Sequence, residues 1–265
     1  MDSFVNEKDF QLLAQDPYTF SVLDRILRGN CDLVRADHRS LIMCHSEKPY
    51  PIWMWTPDGC PDDVKEKAWE LAAELRPFAS RYRYNIKHEL AEYFMKRARQ
   101  EGVDIGISME LFAYDCPDPV RPECPADGEL YCCTPEDMEA VISMMGCFHD
   151  DIGEKPATEN RIREKAQMFI DDHAFFFWKN TEGDAVACCS YRCNQGLACI
   201  GSVYTRPECR RKHYAQNMVY EVTEKIRALG YTPMLYTDAG YAASNACYEK
   251  IGYVLRGRLC TAGRA

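Results

Sequence analysis

The chain has 265 residues, 46% hydrophobic and 28% charged, with 15 glycines and 14 prolines. That composition is globular and long enough for one large domain or two modest ones, which excludes collagen-like, low-complexity and largely disordered chains. Lysine and arginine sum to 32 against 41 acids, a net charge of -9, so no nucleic-acid partner is expected.

No apolar run approaches the roughly 18 residues of a membrane span, so no membrane partner is expected either. Residues 1–10 carry acids early and have no apolar stretch behind a basic one. No secretory leader is expected there, and the expected location is cytoplasmic. Residues 41–44 (Leu-Ile-Met-Cys) and 52–55 (Ile-Trp-Met-Trp) read as strands around a turn-like Ser-Glu-Lys-Pro. Trp53 and Trp55, at alternate positions, read as one buried face. Residues 62–75, with Val64, Ala68, Leu71, Ala72 and Leu75, predict a helix from their three-to-four spacing. Residues 88–99, with Leu90, Ala91, Phe94, Met95 and Ala98, predict another. Residues 115–128 hold four prolines and close on Asp127-Gly128, the signature of an ordered linker. The expected division is therefore an N-terminal α/β domain over 1–125 and a second domain over 128–265.

The second half has a clearer rhythm. A short strand at 129–133 runs into Thr134-Pro135-Glu136-Asp137, a capping hydroxyl, a first-turn proline and two acids, which opens a helix. A further helix is expected over 158–170. Strands follow at 174–178, 185–191 and 198–205, with Glu182-Gly183 and Gln195-Gly196 as turns. A helix over 213–229 (Tyr214, Met218, Val222, Ile226, Leu229) stops at Gly230. A strand at 234–237, a short helix at 245–251 stopped by Gly252, and a strand at 253–259 complete the order β-α-α-β-β-β-α-β-α-β. No internal repeat is visible in the sequence.

The 15 cysteines fall below the roughly 8–10% that marks a disulfide scaffold. Without a secretory leader they read as reduced, small hydrophobes. The adjacent pairs Cys132-Cys133 and Cys188-Cys189 must point to opposite faces of their strands. Neither Cys189-x3-Cys193 nor Cys116-x7-Cys124 has a second half at ligand spacing, so no metal is expected.

The chemistry concentrates in residues 201–216, GSVYTRPECRRKHYAQ, where an apolar strand passes through a charged turn into an amphipathic helix. Arg206, Arg210, Arg211 and Lys212 face one acid, Glu208. Unpaired amides and the positive end of the helix dipole, joined by these cations, suit a pyrophosphate. Charge alone leaves a solvated basic cap equally open.

Residues 203–215, VYTRPECRRKHYA, resemble the acetyl-CoA signature of the GNAT superfamily of N-acetyltransferases, Gln/Arg-x-x-Gly-x-Gly/Ala entered from a V-x-T strand. Arg210 takes the Gln/Arg position and Ala215 the last small one; His213 stands where glycine is usual. A second run, Asn245-Ala-Cys-Tyr248-Glu-Lys-Ile-Gly252-Tyr253, resembles the family's N-x-x-Y-x-x-x-G-F/Y helix. The resemblance covers about residues 128–265. It implies an α/β (α+β type) acyl-CoA N-acyltransferase fold with a mixed central sheet, preceded by a smaller α/β N-terminal domain; that domain is expected to be a diverged GNAT-like copy.

The resemblance also implies acetyl-CoA as co-substrate and direct attack by a primary amine in a ternary complex. Coenzyme binding would fall to Val203, Tyr204, Thr205, Arg210, Arg211, Lys212, His213, Tyr214, Ala215 and Asn245. Free backbone N–H groups near residues 203–205 would meet the developing oxyanion, and Tyr248 would protonate the leaving thiolate. The connection between the first two helices commonly lines the acceptor pocket in this family. Here that connection is residues 148–154, where Asp150 or Asp151 would hold a cationic acceptor, small molecule or protein. The alternatives are transfer of another acyl group to a small amine or amino acid, and a non-catalytic acyl-CoA sensor.

Overall fold

The computed structural model describes residues 1–29, 31–74, 83–153 and 158–264. The chain forms two compact units. One comprises Met1–Ala113 with Thr237–Tyr241 and Leu255–Ala265, the other Tyr114–Tyr236 with Ala242–Val254.

In the first unit, helices α1 (Glu7–Leu13) and α2 (Ser21–Arg28) precede three strands, β1 (Leu33–Ala36), β2 (Ile42–His45) and β3 (Ile52–Trp55). The three pair antiparallel in sequence order. Helix α3 (Asp62–Glu74) crosses over to β4 (Arg83–Ile86), which lies parallel to β3, and α4 (His88–Gln100) leads to β5 (Ile105–Asp115). Every residue of β2 and β3 is buried. Met43, Ile52 and Met54 join Trp69, Leu90 and Phe94 in the core shared with α3 and α4. Strand alternation sends Trp53 and Trp55 to the opposite face. The final strand of the chain, β11 (Val254–Arg264), pairs antiparallel with β4, placing Cys260 opposite Ile86. The order in this unit is β1-β2-β3-β4-β11-β5.

The second unit begins with β6 (Glu129–Cys132) and a single 3-10 turn over Pro135–Asp137, closed by hydrogen bonds from Thr134 to Asp137. Helices α5 (Met138–Asp151) and α6 (Glu159–Asp171) follow, then β7 (Phe175–Lys179), β8 (Ala185–Asn194), β9 (Leu197–Thr205), α7 (Tyr214–Ala228), β10 (Thr232–Asp238) and α8 (Ala242–Ile251). Strands β6 to β9 pair antiparallel in sequence order, and β10 pairs parallel to β9. The sheet is covered on both faces, which is why Cys188 and Cys189 are both fully buried. Helix α7 buries Tyr214, Met218, Val219, Val222 and Ile226. It ends in a paired-carbonyl turn: Gly230 N–H donates to Arg227 and Tyr231 N–H to Ile226, with Gly230 at φ 85°.

The succession α-α-β-β-β-α-β-α-β over residues 7–115 recurs from α5 to β11. Several expectations shift. Helices α1 and α2 and strands β1, β4 and β5 have no counterpart in the sequence-based reading. Helix α8 starts three residues before Asn245, and β11 runs to Arg264 rather than 259. Residues 116–128 hold no helix or strand. Gly128 closes them at φ 85°, where a Cβ would collide with the Lys179 carbonyl. Leu75 lies outside the described residues.

Candidate active site

Strand β9 positions the site. Its parallel ladder with β10 runs from Leu197 opposite Thr232 to Ile200 opposite Leu235 and ends there. Its antiparallel ladder with β8 continues to Thr205 opposite Ala187, with one extra residue on β9: Gly201 faces Ser190 and Tyr204 faces Cys188. Ser202, at φ 51°, is part of that bulge. Beyond Ile200 the strand therefore has a partner on one edge only. Alternation leaves backbone N–H groups of Val203 to Thr205 on the other edge. A glycine inside an apolar strand was the available signal for this bulge, and the Gly201-Ser202 pair was missed.

The strand ends in a tethered turn. Arg206 donates from its N–H to the Val186 carbonyl at 3.0 Å and from Nε to the Ala185 carbonyl at 2.8 Å. Arg210 donates from Nε to the Thr205 carbonyl at 3.1 Å. Arg211 and His213 both have φ 64°. His213 is the N-cap of α7, at ψ 6°, and its side chain makes no capping bond. The backbone at the family's glycine position thus adopts the left-handed conformation that glycine allows, despite the imidazole. The first helical capture is Asn217 N–H to the His213 carbonyl at 3.1 Å. Ahead of it, the amides of Tyr214, Ala215 and Gln216 have no acceptor among the described residues. The first turn holds no acid, so these amides and the helix dipole form an anion cradle.

The cations around this cradle have different fates. Arg211 and Lys212 are exposed, and among the described residues neither forms an ion pair. Arg210 does, through Nη2 to Asp151 Oδ1 at 2.6 Å. Tyr214 is buried, and its hydroxyl donates to Asp127 Oδ1 at 2.7 Å. That hydrogen bond, with burial added, pushes the phenol up to about 12. The ring of Tyr214 therefore anchors the loop to residue 127, and only its amide faces the cradle. Asp127 was legible only as part of an Asp-Gly turn; its bond to Tyr214 had no sequence signal, because the partner is 87 residues away.

Helix α8 buries Asn245, Tyr248 and Ile251 along one face. The Tyr248 ring meets Tyr253 edge-on at 6.0 Å. Its hydroxyl makes no hydrogen bond among the described residues, and burial pushes its pKa well above the ordinary tyrosine range. The side chain is a neutral phenol with its proton uncommitted.

The acceptor-side expectation needs correction. Residues 148–151 are the last turn of α5, not part of a connecting loop, which begins at Ile152. Glu154 lies outside the described residues. Asp150 is exposed and has no side-chain partner among the described residues. Asp151 is taken by Arg210. Two acids at the negative end of a helix cost about 0.3–1 kcal/mol each, and the guanidinium offsets one of them.

The first unit offers an electrostatic contrast. Its strand-to-helix turn between β3 and α3 contains Asp58, and α3 opens on Asp62 and Asp63; no lysine or arginine lies between residues 56 and 63. By element order this is the counterpart of the 206–213 loop, with the opposite charge.

Among the described residues no group of three or more His, Cys, Asp or Glu side chains is placed to hold a metal. No described helix is long and apolar enough to cross a membrane.

Residues 180–261 match the family model of the FR47-like proteins. No curated protein matches the sequence. Among solved structures, a GCN5-related N-acetyltransferase from Sphaerobacter thermophilus is 15% identical over 98% of this chain and 94% of its own, with a TM-score of 0.68. One from Kribbella flavida is 16% identical over 93% of each chain, TM-score 0.62. A GNAT-family acetyltransferase from Colwellia psychrerythraea is 11% identical over 100% and 99%, TM-score 0.61. Both the FR47-like segment and these structures point the same way: the chain has the mixed α/β fold of the GNAT acetyltransferases.

Proposed function

We propose that the protein is an N-acetyltransferase that moves the acetyl group of acetyl-CoA to a primary amine by direct attack in a ternary complex. One observation carries the reading: β9 leaves β10 at Ile200 and ends on an anion cradle whose loop is left-handed at His213. A parted strand beside a pyrophosphate site is what a thioester substrate requires, because it supplies oxyanion donors and a phosphate anchor along one line.

In this scheme the pyrophosphate rests on the amides of residues 214–216, with Arg211 and Lys212 beside it. Asn245 hydrogen-bonds the pantetheine arm, and the acetyl oxygen takes backbone N–H groups from Val203 to Thr205. The amine, having lost its ammonium proton to solvent, attacks the carbonyl carbon. The C–N bond forms, the C–S bond breaks, the sulfur takes the phenolic proton of Tyr248, and the proton shed by the attacking nitrogen passes through solvent to restore the phenol. Burial suits this exchange, because the same dry surroundings that hold the proton on the phenol also penalise charge on a departing thiolate. Asp150, with its carboxylate exposed and without a side-chain partner among the described residues, is the counter-ion for a cationic acceptor. The first unit is a diverged copy whose acidic turn takes no pyrophosphate.

Calorimetric titration with acetyl-CoA should give one site per chain, followed by free-CoA release when primary amines are screened. Absence of binding would sink the reading. Tyr248→Phe should lower kcat by about 10²–10⁴ with coenzyme affinity and melting temperature unchanged, since the hydroxyl makes no hydrogen bond among the described residues. A variant within twofold of the parent kcat would remove Tyr248 as the acid.

A further inference from the structure

Asp151 is the last residue of α5 and stands 59 positions from Arg210 in sequence. Its Oδ1 is 2.6 Å from Nη2 of Arg210, while Nε of the same guanidinium is held by the Thr205 carbonyl at 3.1 Å. The guanidinium carbon lies 6.0 Å from the centre of the Tyr204 ring. The arginine at the head of the cradle is thus engaged by a carboxylate, a carbonyl and an aromatic face. The two cations after it are unpaired among the described residues. Both partners of the ion pair remain open to water, with side-chain exposures of 43% and 45%, so the pair can exchange. Helix stability does not explain the carboxylate, since it sits at the pole of α5 that disfavours negative charge.

We propose that Asp151 is an internal competitor for Arg210, which occupies the cation a pyrophosphate would take and thereby sets how tightly CoA is held and how readily it leaves. The proposal rests on the coenzyme reading above and assigns Asp151 to the coenzyme loop rather than to the acceptor. A phosphate that reaches the loop must share Arg210 or displace the carboxylate. When product CoA departs, Asp151 recaptures the guanidinium, so the loop returns to a neutralised ion pair instead of a bare cation. Release of product limits many enzymes, and an internal anion shortens the stay of an external one.

The test is CoA affinity of the full chain by calorimetry at low and moderate salt. Asp151→Asn should tighten CoA by about two- to fivefold, the range that a half-exposed ion pair spans, and should steepen the loss of affinity with added salt. Asp151→Ser is the second variant should the amide disturb the helix end. Asp171→Asn removes the same charge from the exposed last residue of α6 and should leave CoA affinity unchanged. In an Arg210→Gln background the effect of Asp151→Asn should vanish. Unchanged or weaker binding by both Asp151 variants would overturn the proposal. So would equal tightening by Asp171→Asn, or tightening that persists without Arg210. If the unmodified protein binds no CoA, the transferase reading fails and takes this one with it; equal binding by parent and Asp151 variants removes this one alone.

Discussion

Glycine at position 213 should make the protein more stable. His213 has φ 64° and ψ 6°, its side chain is exposed, and it makes no capping bond. A residue with a Cβ pays about 1–2 kcal/mol to adopt the left-handed region. Glycine escapes that cost but gains freedom in the unfolded chain, which takes back about 0.5–1 kcal/mol. Glycine is also an acceptable N-cap, so nothing further is lost. The net expectation for His213→Gly is a gain of about 0.5–1 kcal/mol, or about 1–4 °C for a unit of this size. His213→Ala keeps the Cβ and should show no gain. Thermal and urea unfolding followed by circular dichroism would measure both. CoA affinity of the glycine variant should stay within about twofold, since the backbone, not the imidazole, aims the amides. A glycine variant destabilised by about 1 kcal/mol or more would mean that the loop is not in glycine's region. A tenfold loss of CoA affinity would mean that the imidazole itself touches the coenzyme.

Two further outcomes follow from unpaired or shifted groups. Thr205 Oγ1 is buried with no hydrogen-bond partner among the described residues, and such a group costs about 1–3 kcal/mol. Thr205→Val should therefore raise stability by up to about 1 kcal/mol; a clear loss in chemical denaturation would show that the hydroxyl is bonded. In the first unit, His38 Nδ1 lies 2.7 Å from Asp9 and Nε2 2.9 Å from Asp2, and these hydrogen bonds, Asp9 first, raise its pKa. A raised imidazole stabilises fully below its ordinary value of about 6.5 and loses that contribution as pH climbs through the folded value. Asp2 bridges to Ala36 through two backbone hydrogen bonds. Hydrogen exchange at Ala36, corrected for intrinsic rate, should accelerate across that pH window in the parent and show no such step in His38→Asn. A flat parent profile would show that His38 does not hold the Asp2–Ala36 bridge in place.

Much of the second unit was legible because its elements declare themselves locally. Thr134 with Pro135 and Asp137 starts a helix, the apolar residues of α7 recur at helical spacing, and β7 to β9 are long apolar runs with glycine turns. The first unit was less legible for a physical reason. Strands β1 and β4 have four residues each, too few for an alternation to emerge. In β5, Ile105–Asp115, buried positions fall mainly at the ends, so the sequence shows no period of two. At the candidate site, the loop and Tyr248 could be found from local pattern. The ion pair of Asp151 with Arg210 and the bond from Tyr214 to Asp127 could not, because neither partner carries any mark of the other across 59 and 87 residues. The end of α5 was misread for a related reason: acids at a helix C-terminus go against the usual preference and look like loop.

The placement of β11 has a consequence for how the chain is made. Ile86 leaves the ribosome long before Cys260, its partner across the ladder, and the whole second unit is synthesised in between. Until residues 254–264 emerge, β4 has β3 on one side and an open edge on the other. That edge is a template for any strand that passes, whether from a nascent neighbour or from a truncated copy. Nonsense or frameshift products that stop shortly before residue 254 would keep the cradle of α7 and most of α8 yet leave the early unit unfinished. Such fragments should accumulate as aggregates or as chaperone clients rather than as partly active monomers. Completion of the first unit thus waits on residues 254–264, however early its other strands are made.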